Sequence, residues 1–201
     1  MSGIGELQLK NIKLSLILKK QVLQKQIKNS LIIKFKQKSE KKLLIIVNPK
    51  SKKLEFTTEI SNFENISTHS LVITIYPKCR KLVNITGIKN YDDISGVVGL
   101  VQKIFKCNIE QVNIDCAFYS AKNFNNYKLN VIYEILKEKK FIIVEYNPEQ
   151  FAGIVVKNRE KNAPLTLLIF RTGSVCILGK IIESYAKKLY DIVISILKKN
   201  G

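Results

Sequence analysis

Residues 71–105, LVITIYPKCRKLVNITGIKNYDDISGVVGLVQKIF, and residues 165–197, LTLLIFRTGSVCILGKIIESYAKKLYDIVISIL, follow the same plan. Each stretch reads as an alternating strand, a turn, a second strand ending in glycine (Gly87 or Gly179), and a long amphipathic helix. A duplicated unit of this kind predicts a pseudo-symmetric fold. The symmetry suggests a partner with approximate two-fold symmetry of its own, and duplex nucleic acid is one.

The repetition continues upstream of both stretches. The segment KNIKLSLIL, starting at Lys10, matches VNIDCAFYS, starting at Val112, and KKLLIIVNP, ending at Pro49, matches KKFIIVEYNP, ending at Pro148. We therefore predict two repeats, 1–106 and 107–201, each built as strand, helix, four strands and helix. The strands of both repeats would join in one curved antiparallel sheet, which makes the fold class α+β with about four helices on one face.

Residues 30–40 are ambiguous between helix and strand on their own pattern. The matching stretch LNVIYEILKEK has helical spacing in the second repeat, at Leu129, Ile132, Ile135 and Leu136. By this match we predict a helix over 30–40 as well. Apolar stripes on the two closing helices are predicted to be core. They comprise Ile94, Val97, Val98, Val101, Ile104 and Phe105 in the first, and Ile182, Tyr185, Leu189, Ile192, Val193 and Ile196 in the second.

The charge balance favours an anionic partner. The chain has 34 Lys+Arg against 16 Asp+Glu, a formal net charge of +18, which suits nucleic acid or an anionic membrane surface. A general lysine-rich codon bias would also produce part of this excess. No apolar run is long enough for a membrane span, and no signal-peptide pattern opens the chain. Four cysteines without CxxC pairing and a single histidine argue against a zinc site, so we expect neither a metal nor a cofactor.

The strands of the second repeat are apolar on both faces. Helices would cover one face, because side chains alternate across a strand. The other face would expose an apolar patch, of the kind that marks an interaction surface unless a loop or a second subunit covers it. Its members would be Phe151, Val155, Leu168, Phe170, Cys176 and Leu178.

The stretch from Tyr146 to Gly179, YNPEQFAGIVVKNREKNAPLTLLIFRTGSVCILG, resembles the core of a TATA-binding protein repeat. The Tyr-Asn-Pro turn, Phe-Ala-Gly, Leu-Ile-Phe and the closing glycine occur in the family's order and spacing. The resemblance implies a ten-stranded saddle with helices on its convex side. It further implies a concave sheet that binds the DNA minor groove and kinks the duplex with inserted aromatic side chains.

The resemblance also implies which residues contact DNA. Asn11 and Asn113 correspond to the pair at the centre of the site, and Phe151 and Phe170 to the wedge pair of the second repeat. The remaining positions implied are Val155, Lys157, Leu168, Cys176 and Leu178 in the second repeat, and Phe56, Tyr76 and Thr86 in the first.

The chain departs from the family pattern at several of these positions. Tyr76 replaces a phenylalanine, and Leu178 replaces a threonine. Lys13 and Asp115 stand where the family carries valine. Phe56 alternates with Glu55 and Glu59, which leaves the strand register around it open.

The leading hypothesis is a transcription initiation factor that binds double-stranded AT-rich promoter DNA as a monomer. By resemblance its partners would be a transcription factor IIB-like protein and RNA polymerase, in the nucleus or, for a viral protein, in a cytoplasmic viral factory. The alternative is an interaction scaffold of the same fold that has lost DNA reading. An enzyme is disfavoured, because the sequence has no acidic cluster on adjacent strands, no Gly-rich phosphate loop and no nucleophile with a histidine base.

Overall fold

A computed structural model of the chain describes residues 5–22, 31–38, 41–47, 54–59, 66–76, 78–122, 128–140, 142–158, 164–180 and 183–200. The strands are β1 (Gln8–Leu18), β2 (Leu31–Lys38), β3 (Lys41–Val47), β4 (Leu54–Glu59), β5 (Ser70–Ile75), β6 (Leu82–Ile88), β7 (Ile109–Lys122), β8 (Ile142–Glu145), β9 (Gly153–Asn158), β10 (Leu165–Phe170) and β11 (Ser174–Gly179). The helices are α1 (Asp93–Phe105), α2 (Leu129–Lys137) and α3 (Glu183–Asn200).

The chain forms two compact units. One unit consists of residues 11–115, and the other of residues 1–10 together with 116–201. β1 and β7 are hydrogen-bonded neighbours, and each of these two long strands contributes residues to both units. The division between the units therefore falls inside β1 and β7 rather than in a linker.

The second repeat is built as its sequence predicts. Its strands follow the order β7-β11-β10-β9-β8, with antiparallel pairing from each strand to the next. α2 contacts β8, β9 and α3. In β10 the buried side chains of Leu165, Leu167 and Ile169 alternate with half-buried ones, as expected for a strand with one face on a core.

In the first repeat, the predicted helix over 30–40 is wrong. These residues form β2, which pairs with β5 on one side and β3 on the other, in the order β4-β3-β2-β5-β6-β1. Ile33 and Phe35 are buried, whereas Lys34 and Lys36 are exposed. This two-residue period buries both apolar side chains only in a strand, and it outweighs the analogy with the second repeat.

The extra strand changes the predicted counts. Instead of ten strands and about four helices, the described residues form eleven strands and three helices. The α+β class, the antiparallel pairing and the fold of two strand-rich repeats are confirmed. In the described part of the chain, none of the helices has the length and apolarity needed to cross a bilayer.

The buried face of α3 differs from the predicted stripe. Tyr185 is 48% exposed, and of the predicted residues only Leu189 and Val193 are buried. The buried side chains are Ala186, Leu189, Tyr190, Val193, Ile194 and Leu197. The buried face is thus rotated about the helix axis relative to the predicted stripe. Tyr190 explains this rotation, because its hydroxyl donates a 2.6 Å hydrogen bond to the carbonyl oxygen of Gly5, which gives a buried phenol the partner that it requires. Ile182 lies outside the described residues.

A β-bulge interrupts the pairing of β1 with β6. Ile12 pairs with Ile88 but Leu14 pairs with Ile85, so β6 carries one extra residue. Gly87, in this bulge, has φ +101°, and a Cβ there would lie 2.6 Å from the carbonyl oxygen of Ser70. Glycine is therefore required at this position both by backbone conformation and by space.

The first turn of α1 is tied to the segment that precedes β5. Asp93 is 2% exposed, and its carboxylate accepts hydrogen bonds from the backbone N–H of Ser67 (2.7 Å) and of Thr68 (2.9 Å). The hydroxyls of both residues also donate to it. Burial raises the pKa of Asp93, but these hydrogen bonds outweigh burial and hold the pKa below its ordinary value.

Candidate nucleic-acid interface

Each strand of the second repeat has a buried face and an opposite face, which we call the open face. Directly paired residues share a face, so the strand register gives two rows across the open face. One row is Val155, Leu168, Cys176 and Ser120, and the other is Lys157, Thr166, Leu178 and Phe118. All eight side chains are half-buried, so the rows form a surface that is largely apolar and reachable from outside.

Two phenylalanines stand at one edge of these rows. The ring centroids of Phe151 and Phe170 are 5.7 Å apart, with an interplanar angle of 63°, an edge-to-face contact. Gly153 pairs with Phe170, and a Cβ on Gly153 would lie 3.0 Å from Phe151 Cε1 and 3.2 Å from Phe170 Cδ1. The glycine therefore leaves room for the ring pair, and Phe151 remains 38% exposed.

Cys176 behaves as an apolar member of this surface. Burial raises the pKa of its thiol above the ordinary value, because a low-dielectric environment disfavours the thiolate. The side chain is therefore neutral at physiological pH, and it fits between Leu168 and Ser120 in the row that these residues form.

Lys157 is paired with a carboxylate on the neighbouring strand. Its Nζ lies 2.7 Å from Glu145 Oε1, and both side chains are about half exposed. An ion pair at this exposure adds little to stability. The ion pair instead lowers the positive charge of the open face, because Glu145 offsets Lys157, the residue that the family resemblance implies for contact with a phosphate backbone.

The open face of the first repeat is more polar. Thr86 pairs with Val72, and Asn84 pairs with Thr74 and with Ser15. Tyr76 follows β5 and is 47% exposed. Phe56 lies in β4 opposite Ile45, but its side chain, like those of Glu55 and Glu59, falls outside the described residues.

The two central asparagines hold their amide groups in a defined orientation. Asn11 Oδ1 accepts a 2.7 Å hydrogen bond from the backbone N–H of Gly87. Because an N–H can only donate, this contact identifies the oxygen and leaves the Nδ2 donors unused by it. Asn113 Oδ1 accepts a 2.8 Å hydrogen bond from Gln111 Nε2. Both asparagines therefore retain N–H donors of the kind that a row of acceptors would bind.

Asp115 contacts Ser15. The Ser15 hydroxyl, 8% exposed, donates a 2.8 Å hydrogen bond to Asp115 Oδ1. Leu14 and Leu16, which flank Ser15 in β1, are fully buried on the opposite face. Alternation along β1 therefore puts Ser15 on the open face of the first repeat. Asp115 lies there through its contact with Ser15, and Asn113 shares a side of β7 with Asp115. The buried side chains further along β7 are those of Ala117, Tyr119 and Ala121. It is therefore the Ser15 contact, and not alternation along the whole of β7, that places Asp115 on this face.

Four members of these surfaces are absent from the sequence prediction. They are Phe118, Ser120, Thr166 and Glu145. The alternation in the segment AFYSAK was a usable signal, since it puts Phe118 and Ser120 on one face and Tyr119 on the other. It does not say which aromatic is buried, and the structure buries Tyr119 to 1% exposure.

Across the described ranges, no three His, Cys, Asp or Glu side chains come together as a metal site requires.

Comparisons with known proteins find a related family and a similar fold. Residues 108–200 match the family described as transcription factor TFIID (or TATA-binding protein, TBP). Among solved structures, the Methanococcus jannaschii TBP aligns with a TM-score of 0.54 and 19% identity, over 96% of this chain and 99% of that chain. A search of curated proteins finds no significant match. The family match covers the second repeat, and the structural match extends the similarity of fold to the first.

Proposed function

We propose that this chain is a TATA-binding-protein-like transcription factor that binds AT-rich promoter DNA through the minor groove. The match of residues 108–200 to that family and the similarity of the fold to the Methanococcus jannaschii TBP support the proposal. The open faces of this chain's strands form the contact surface. The observation that carries the proposal is the Phe151–Phe170 pair over Gly153 at the edge of an apolar strand surface.

The apolar rows fit the floor of an A·T minor groove. That floor carries the adenine N3 and thymine O2 acceptors and has no exocyclic amino donor. Side chains such as Val155, Leu168 and Leu178 therefore leave no buried donor of an A·T pair without a partner. The N–H donors that Asn11 and Asn113 retain complement the acceptors.

The phenylalanine pair supplies a means of bending. Apolar side chains that enter a base step unstack it at a cost of a few kcal/mol, which a larger contact area with bent DNA offsets. Phe151 and Phe170 contact each other edge to face and share one glycine beneath them. They would act as one wedge at a single step.

The other partners follow from the family. The chain would bind DNA as a monomer and present its helices to a transcription factor IIB-like protein and to RNA polymerase. The exposed residues of α3, among them Tyr185, Lys187 and Lys188, are a surface that remains available when the strand faces are on DNA.

The test is a mobility-shift titration with AT-rich and GC-rich duplexes of equal length at about 150 mM salt, combined with a fluorescence measurement of duplex bending. We expect tighter binding and a larger bend for the AT-rich duplex. Equal affinities without bending would contradict the proposed function.

Glu145→Gln should strengthen DNA binding. The substitution removes a negative charge from the open face and releases Lys157 for a phosphate contact. One additional phosphate contact steepens the dependence of log K on log salt by about 0.9. Affinity should therefore rise several-fold at low salt and converge with that of the unmodified protein at high salt.

Glu134→Gln is the matched control. Glu134 pairs with Lys137 on α2, so the substitution makes the same change in net charge away from the open faces. If both variants gain affinity equally, the effect is one of net charge, and Lys157 has no specific role.

The second candidate function is a protein-interaction scaffold. The polar open face of the first repeat and the carboxylate of Asp115 favour it, since an acidic group is repelled by phosphates. In that case the salt dependence of duplex binding would be the same for AT-rich and GC-rich sequences.

A further inference from the structure

We propose that Asp115 reads one G·C pair within the otherwise A·T-selective site, by accepting a hydrogen bond from the exocyclic N2 amino group of guanine. The inference rests on the proposed minor-groove function. It assigns to the first repeat a sequence preference that apolar residues at the same position would not give.

The carboxylate of Asp115 is held in place by Ser15. Ser15 Oγ donates to Asp115 Oδ1 at 2.8 Å, and Ser15 itself is 8% exposed between two fully buried leucines. A hydroxyl fixed in a strand limits the rotation of its partner. Asp115 is therefore oriented before any ligand arrives, which lowers the entropic cost of a further hydrogen bond.

The second carboxylate oxygen is available to a donor. Among the described residues, the hydrogen bond found at the Asp115 carboxylate is that from Ser15 to Oδ1. The side chain is half-buried rather than enclosed. A carboxylate accepts at two oxygens and has no donor of its own when ionised, so Oδ2 can bind only a group that donates.

In the minor groove, one base group meets this requirement. A·T and T·A pairs present only acceptors, and a G·C pair adds the guanine N2 amino donor. Opposite an A·T pair, Asp115 would face acceptors and remain a desolvated charge without a partner, which is costly. Opposite a G·C pair, it would form a charge-assisted hydrogen bond.

Asp115 is thus opposite in character to the central asparagines. Asn11 and Asn113 use their oxygens within the protein and retain N–H donors, which suit the acceptors of A·T pairs. Asp115 uses one oxygen within the protein and retains an acceptor. Together they would read a short pattern of acceptors interrupted by one donor.

The experiment isolates the N2 amino group chemically. At each position in turn across the centre of an AT-rich duplex, one base pair is made A·T, G·C, inosine·C or 2,6-diaminopurine·T. Inosine is guanine without the N2 amino group, and diaminopurine is adenine with one, so the minor-groove donor varies independently of the rest of the pair. At one position, the unmodified protein should bind G·C about tenfold more tightly than inosine·C, and diaminopurine·T more tightly than A·T.

Asp115→Val provides the matched variant. It should abolish the preference at that position, so that inosine·C binds at least as well as G·C, while its affinity for the A·T duplex is equal or higher. Ser15→Ala should reduce the preference without abolishing it, because it removes the orienting hydrogen bond and leaves the carboxylate. Thermal unfolding of both variants checks that the fold is retained. The comparison of duplexes with the unmodified protein does not depend on either variant.

The outcomes separate the two proposals. If the AT-rich duplex is preferred overall but the N2 amino group weakens binding or has no effect at every position, the role of Asp115 is overturned and the proposed function stands. If the protein shows no preference for AT-rich duplexes at all, the proposed function is wrong, and so is the proposed recognition of guanine.

Discussion

Phe170→Ala should weaken binding to an AT-rich duplex by about 10- to 100-fold, as expected for the loss of about 1–3 kcal/mol of aromatic contact with a base. It should also reduce the bend angle. Phe170 is half-buried at the end of β10 and contacts Phe151 edge to face. Its removal takes away half of the wedge and leaves Phe151 without its ring partner. Mobility-shift titration gives the affinity, and energy transfer between the duplex ends gives the bend.

Tyr76→Ala is the comparison. Tyr76 is 47% exposed in the first repeat, and its hydroxyl would lose hydration inside a base step, so its contribution should be smaller, below about fivefold. Because Tyr76 is largely exposed, its truncation should leave the fold stable. If the two substitutions weaken binding and bending to the same extent, the two repeats contribute equally, and the asymmetry inferred from their open faces is wrong.

Asp93→Asn should lower the free energy of unfolding by about 2–4 kcal/mol. The carboxylate accepts from two backbone N–H groups and two hydroxyls. An amide replaces one accepting oxygen by a donor, so at least one buried N–H or hydroxyl loses its partner. Urea unfolding followed by circular dichroism measures the change. Asp92→Asn, one residue earlier and exposed, is the control, with an expected change within about 0.5 kcal/mol.

The same carboxylate makes stability depend on pH. Its pKa in the folded protein lies below the ordinary value, so the unfolded chain binds the proton more tightly. The stabilisation is complete above the unfolded-state pKa, and it is lost as the pH falls through the folded-state pKa. Asp93→Asn should therefore flatten the acid limb of the stability profile. An unchanged acid limb would show that the carboxyl titrates alike in both states.

Sequence alone predicts the parts of this molecule that depend on pattern. The strands of both repeats after residue 40, the closing helices and the apolar open face of the second repeat follow from alternation, helical period and turn residues. The strands, the closing helices and the apolar open face were predictable because burial imposes one period on each element. The pairing of Phe151 with Phe170 came from the family resemblance, and the two rings contact each other.

The remaining features depend on contacts between distant segments. The repeat analogy predicts a helix over 30–40, whereas β2 forms because pairing with β3 and β5 buries Ile33 and Phe35 and exposes the lysines between them. The rotation of α3 depends on a hydrogen bond between Tyr190 and Gly5, which no periodicity encodes. The pairing of Lys157 with Glu145 required the register of β8 against β9, which sequence does not fix to one residue.

The hydrogen bond from Gly87 to Asn11 links promoter reading to folding in the first repeat. Asn11 satisfies the backbone N–H at the bulge of β6 with the same amide that would face DNA. A replacement without a side-chain acceptor there would also leave that N–H without its partner. Substitutions of this kind that change base preference are therefore costly to the fold at this position. Asp115 bonds a side-chain hydroxyl and no backbone N–H, so a replacement there leaves no backbone donor without its acceptor, and a new preference can arise at lower cost to the fold.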